Sequence, residues 1–164
     1  MMRRRKTRIW KGALAGLAGG LAGAAAMAEF QRWWSRAMKD QKSERREEPA
    51  TIKAARAIVE KGLHRKLPDK RKELAGEIVH YAFGTLNGAI YGALAERKPM
   101  ASSLGGALFG AALFLLADET LVPALGWSRP PNKAPASSHL YGLASHLIYG
   151  AAANTVRHAV RAAL

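Results

Sequence analysis

Apolar and polar positions are sorted along this chain in long blocks. Four runs contain no Asp, Glu, Lys or Arg: residues 12–28, 78–95, 99–117 and 134–156. Each comes close to the roughly 20 apolar residues a helix needs to cross a hydrocarbon core. The blocks predict transmembrane helices at about 12–30, 76–95, 101–118 and 138–157, with the first marginal because "GALAGLAGGLAGAAAMA" is mostly Ala and Gly. Trp10 precedes the first run, Trp33 and Trp34 follow it, and Trp127 follows the third. These positions suit an interfacial aromatic belt. The alternatives for the first run are a cleaved signal peptide ending at "AMA" or a re-entrant segment.

Between the first two runs lies a polar segment, 31–75, after a basic tail at 1–11; residues 76–164 form the predicted three-helix membrane core. Within the segment Ile52, Ala55, Ile58, Val59 and Leu63 recur at helical spacing among Lys and Arg. This predicts a short basic amphipathic helix over about 51–67, capped by Thr51 and stopped by Pro68. It can lie on the bilayer surface or pack on the rest of the protein. The stretch 118–139 is rich in Pro and turn formers, with Ser137 or Ser138 as the expected cap of the last helix.

Glycine is placed where helices would meet. Gly12, Gly16 and Gly20 form one series at four-residue spacing, Gly84, Gly88 and Gly92 a second, and Gly106 and Gly110 a third, with Gly150 on the last helix. In water each interior Gly costs about 1 kcal/mol relative to Ala. In lipid, small residues let helix backbones approach closely. The expected fold class is therefore all-α: an integral membrane bundle of about four helices with Gly-xxx-Gly packing and one basic amphipathic interfacial helix. Short echoes ("GALAG" and "GALFG", "HYAFG" and "HLIYG") hint at two related hairpins.

Charge narrows the partners. The 164 residues include 26 Lys and Arg against 12 Asp and Glu, a formal charge of +14. Because the basic groups are confined to a few segments, the expected partner is the bilayer with its anionic lipids, not nucleic acid, and self-association is open. There is no cysteine. P-loop, GxSxG, HExxH and dinucleotide fingerprints are absent, so no enzyme activity, cofactor or metal is expected. Six basic residues precede the first run, which puts both termini in the cytoplasm for an even number of spans. That topology leaves ten basic residues inside and sixteen outside, so the positive-inside count conflicts with it.

Polar side chains inside the apolar runs are the candidate chemistry. His80 and Asn87 share a face of the second helix; His139, His146 and Asn154 lie along the fourth; Asp118 and Glu119 end the third. A bundle could align them as a polar seam, serving either as interhelical hydrogen bonds or as a proton or solute path. The Asp118, Glu119 and His139 neighbourhood is the one place where a membrane-embedded lipid-modifying enzyme could gather its groups.

The blocks "EPATIKAARAIVEKGLHRKLPDKRKELAGEIVHYAFGTLNGAIYGAL", "GALFGAALFLLADETLVPALGWSRPP" and "SSHLYGLASHLIYGAAANTVRHAV" resemble the YagU-like family of small bacterial inner-membrane proteins over residues 48–160. The resemblance implies a multi-pass inner-membrane protein of unassigned activity and brings no catalytic residues with it.

Overall fold

The structure is a computed structural model that describes residues 8–38 and 48–164. Four of the basic residues expected to set orientation, Arg3, Arg4, Arg5 and Lys6, lie outside the described residues. Among the described residues the chain is helical, without a strand. Helix α1 (Ile9–Ala37) is followed by the short α2 (Ala50–Ala57), the long α3 (Lys72–Arg97), α4 (Ala107–Leu116), a π turn Ala117–Leu121, the brief α5 (Val122–Ala124) and the long α6 (Ala136–Ala163).

The long helices run up and down. Gly12 of α1 faces Gly92 of α3, Gly16 faces Gly88, and Gly20 faces Gly84, so α1 and α3 are antiparallel. On its other side α1 meets α6, with Gly19 opposite Ala153 and Gly23 opposite Tyr149. Helix α6 is in turn antiparallel to α4, with Gly106 opposite Gly150 and Gly110 opposite His146. The spatial order is α3, α1, α6, α4. The rings of Tyr91 and Phe109, 4.3 Å apart and nearly parallel, bridge α3 to α4. Lys11 hydrogen-bonds the Leu164 carbonyl, so the start of α1 and the end of α6 share one end of the bundle, here the terminal end. Helix α2 and residues 125–135 lie at the other, the loop end.

The closeness of α1 and α3 has a definite steric origin. A Cβ on Gly16 would lie 2.9 Å from the Gly88 carbonyl carbon, and one on Gly88 would lie 2.6 Å from the Gly20 amide nitrogen. Those neighbours are backbone and cannot swing aside.

Side chains are distributed the opposite way from a water-soluble bundle. Helix α1 buries Gly12, Ala15, Gly16, Gly19, Gly20, Gly23 and Ala24, and exposes Leu14, Leu17 and Leu21. Helix α3 buries Gly76, Gly84, Gly88, Tyr91 and Gly92, and exposes Ile78, Leu86, Ile90 and Leu94. Helix α6 buries Ser145, His146, Asn154 and Arg157. On α1 and α3 the leucines named thus face outward and the glycines inward, while α6 turns four polar side chains inward.

Local differences from the sequence expectation have physical causes. Helix α1 continues past residue 30 because Glu29, Arg32 and Arg36 extend their charges outward without interrupting backbone pairing. The helix expected over 51–67 appears as Ala50–Ala57 continued by a π turn, Ile58–Gly62. Gly62 and a left-handed His64 (φ 52°) end it there, before Pro68 is reached. Pro49 occupies the capping position in place of Thr51, and α6 begins at Ala136 after Pro135, with no side-chain cap from Ser137 or Ser138. Of the two settings open to it, α2 packs on the protein. Ile52 sits against Gly76 of α3, and Lys53 Nζ donates to the Trp127 carbonyl at 2.9 Å.

Candidate functional site

Pro123 has no N–H to offer the carbonyl four residues back, so the end of the α4 ladder must rearrange. It relaxes into the π turn, where the Val122 N–H reaches the Ala117 carbonyl. π-type insertions in helices frequently mark functional sites. This one brings two consecutive carboxylates, Asp118 and Glu119, to the first turns of α6.

Glu119 Oε1 lies 2.7 Å from His139 Nδ1, and His139 Nε2 lies 3.1 Å from the Pro131 carbonyl. Both partners are acceptors, so the ring satisfies them together only with a proton on each nitrogen. His139 therefore clamps the end of α4, the Pro-rich loop and α6 together. One level deeper, His146 is 5 % exposed. Its Nδ1 donates to the Gly142 carbonyl at 2.9 Å and stands 3.7 Å from Asp118 Oδ2. The shorter contact takes the proton. Among the described residues Asp118 thus receives no close hydrogen bond; His146 is a distant attractive partner and the Glu119 carboxylate a repulsive one, and its side chain is 43 % exposed. Beside His146 lies a cavity of about 410 Å³ at the loop end, walled by Asp118, Glu119 and Phe114 from α4 and its π turn, His139 and Ser138 from α6, and Arg129 from the loop.

The remaining seam candidates go elsewhere. His80 Nε2 pairs with the Ala24 carbonyl at 3.1 Å and links α3 to α1. Asn154 Oδ1 accepts from the Tyr91 hydroxyl at 2.6 Å and links α6 to α3. The Asn87 amide donates to the Phe83 carbonyl of its own helix. Asp118, Glu119, His139 and His146 therefore converge, His80 and Asn154 each join a pair of helices, and Asn87 joins none of the others.

Other buried polar groups were not singled out from the sequence. Arg157 is 4 % exposed, lies 5.5 Å from the centre of the Tyr91 ring, and donates to His158 Nε2 at 2.9 Å. Its Nε finds no partner among the described residues. The signal was available, because residues 150, 154 and 157 fall on one helical face. The Tyr149 hydroxyl donates to the Gly84 carbonyl at 2.6 Å. Between the two polar ends Tyr91, Phe109 and Tyr149 pack ring against ring, over a core of Ala24, Leu113, Ala117 and Ala153. Among the described residues, no group of three or more His, Asp or Glu side chains is arranged to hold a metal ion.

Fold and site together define an all-helical protein in which two helices, Ile9–Ala37 and Leu104–Ala124, are long and apolar enough to cross a membrane. The chain belongs to the DUF1440 family, described as proteins of unknown function, whose pattern matches residues 57–155. That match covers the converging carboxylates and histidines. No curated protein and no solved structure matches the chain.

Proposed function

We propose that this is a multi-pass bacterial inner-membrane protein of the YagU-like kind, in which α1, α3, α4 with its π turn, and α6 all cross the bilayer. Its role is non-enzymatic, as an envelope component or assembly subunit. The observation that carries the reading is the inverted distribution of side chains. Leu17, Leu21, Leu86, Ile90, Leu108 and Leu115 face outward while Gly16, Gly88, His146, Asn154 and Arg157 lie inside. In water such a surface would drive association. In hydrocarbon it needs no cover, and the helices adhere by Gly-xxx-Gly backbone contact and interhelical hydrogen bonds.

The ends fit the same picture. Trp10 and Trp33 are 23 residues apart on α1, about 35 Å at 1.5 Å per residue, close to the bilayer's hydrocarbon thickness of ~30 Å. Phe30, Trp33 and Trp34 cluster with Tyr141 of α6 at the loop end, as an aromatic belt would. We place the terminal end in the cytoplasm, where Lys11, Arg97, Lys98 and Arg161 would face anionic headgroups. The ring stack of Tyr91, Phe109 and Tyr149 counts against a proton or solute path through a single copy.

Because the chain has no cysteine, single-cysteine variants report sidedness directly. K98C and L164C should react with an impermeant maleimide from one side of the membrane, and K66C and K133C from the other. Reaction of all four from the same side, or release of the protein by alkaline carbonate, would refute the four-span reading.

A further inference from the structure

We propose that the loop-end cavity is a binding site for a primary ammonium group, with Asp118 as its anionic partner. The natural source of that group in this setting is an aminophospholipid headgroup of the ethanolamine type. The location at the headgroup level rests on the membrane reading above; the chemistry of the cavity does not.

The argument starts from Asp118. It lines a cavity of about 410 Å³, within the usual range for small-ligand pockets. Among the described residues it accepts no close hydrogen bond, because the proton of His146 Nδ1 goes to Gly142. A carboxylate offers about four lone-pair positions, and one lying partly out of water at a membrane surface gains most from a donor that also carries positive charge. Its neighbour Glu119 is already held by His139, so Asp118 is the carboxylate left to take a ligand.

The cavity is built rigidly. His139 bridges Glu119 and the Pro131 carbonyl, Lys53 ties α2 to the Trp127 carbonyl, and Pro131 and Pro135 stiffen the wall. Pre-formed walls reduce the ordering cost of binding. Ser138 and Arg129, the latter already engaged in another interaction, also line the cavity. Their N–H and O–H groups suit a phosphate adjoining the ammonium, and the apolar faces of Phe114 and Val122 suit methylene carbons. A purely anionic headgroup would bring its charge against Asp118 and Glu119, and a trimethylated ammonium has no N–H to donate. The site thus selects for –NH3⁺ next to a phosphate.

The test uses the full chain in nanodiscs containing equal parts of phosphatidylethanolamine and phosphatidylcholine, with retained lipid counted by mass spectrometry of the released complex. Wild type should retain ethanolamine lipid in preference, and the preference should fall stepwise when mono- and dimethylated headgroups replace it. D118N should reduce the preference about tenfold, the scale of a lost charge-assisted hydrogen bond; K66A, away from the cavity, should not. Equal retention of the two lipids by wild type, or an unchanged preference in D118N, would overturn the proposal. The methylation series needs no variant, so it decides the matter even if D118N does not fold. Soluble phosphoethanolamine added to detergent-purified protein separates the sources. Protection against thermal unfolding that D118N lacks would support recognition of the free headgroup, and protection equal in D118N would overturn Asp118 as its partner. Resistance to carbonate extraction without ethanolamine preference would refute this site alone and leave the membrane reading standing.

Discussion

The close approach of α1 and α3 makes a signed prediction for a one-carbon change. In G88A the new Cβ would lie 2.6 Å from the Gly20 amide nitrogen and would also overlap the Gly20 Cα and the Gly16 carbonyl. Reaching an ordinary contact of ~3.5 Å requires the helices to part by about 1 Å, and a gap of that size forfeits a quarter to a half of each dispersion contact along the seam. Overpacking of this kind costs about 1–3 kcal/mol. Alanine returns up to about 1 kcal/mol through its helix propensity. The expected net loss is about 1–2 kcal/mol. The matched control is G62A, where a Cβ would meet nothing within 4 Å; there the change should be neutral or stabilising by up to about 1 kcal/mol. Reversible unfolding in mixed micelles, followed by tryptophan fluorescence, measures both. If G88A equals or exceeds wild type in stability, or if G62A loses as much as G88A, then backbone contact does not hold these helices together.

Two further perturbations separate kinds of polar contact. Y149F removes the donor to the Gly84 carbonyl and should cost about 1 kcal/mol. Y91F strands Asn154 in the interior while keeping the ring over which Arg157 lies, so a larger loss of about 1–3 kcal/mol is expected in the same unfolding assay; equal losses would show that Asn154 finds another partner. The Glu96–Arg161 pair, 2.5 Å at its shorter contact with both side chains partly shielded, closes the terminal end between α3 and α6. E96Q should destabilise by no more than about 1 kcal/mol, and less at high salt. A larger, salt-independent loss would show that the carboxylate serves something beyond this pair.

Much of the architecture could be read in advance because helices in a long apolar run have few alternatives. Residues 78–95 and 134–156 carry no Asp, Glu, Lys or Arg; α3 extends beyond the first run at both ends, and α6 begins just inside the second and extends past its C-terminal end. A count of charge-free residues measures the apolar stretch, whereas the helix continues as long as its backbone can pair and its charged side chains can reach outward. The local stops were harder to foresee. The end of α2 depends on a left-handed His64, and the π turn at Ala117–Leu121 depends on where the missing N–H of Pro123 falls in the ladder.

The polar residues divide in the same way. Spacing along one helix shows which side chains share a face, and it put His139 and His146 on one side of α6 and Asn154 close by. It carries no information about the facing helix. Partner choice follows from the antiparallel register: Gly110 against His146 brings Asp118 to that histidine, and Gly20 against Gly84 brings His80 to the Ala24 carbonyl. Asn87 shows the limit of the one-helix argument, since it lies on the His80 face yet donates to its own backbone. Arg157 shows the converse, for it shares a helical face with Gly150 and Asn154, yet only the packing of Tyr91 of α3 against it shows what a buried guanidinium meets there.

From its sequence alone, then, this protein is committed to helices, to their approximate limits and to glycine along their faces, since those follow from short-range sterics and from where charge is missing. The tertiary structure decides which helices adjoin, that Leu17, Leu86 and Leu115 point out while Leu113 and His146 point in, and that two carboxylates meet two histidines near a cavity at one end. Those outcomes depend on register between segments far apart in the chain, which no local pattern specifies.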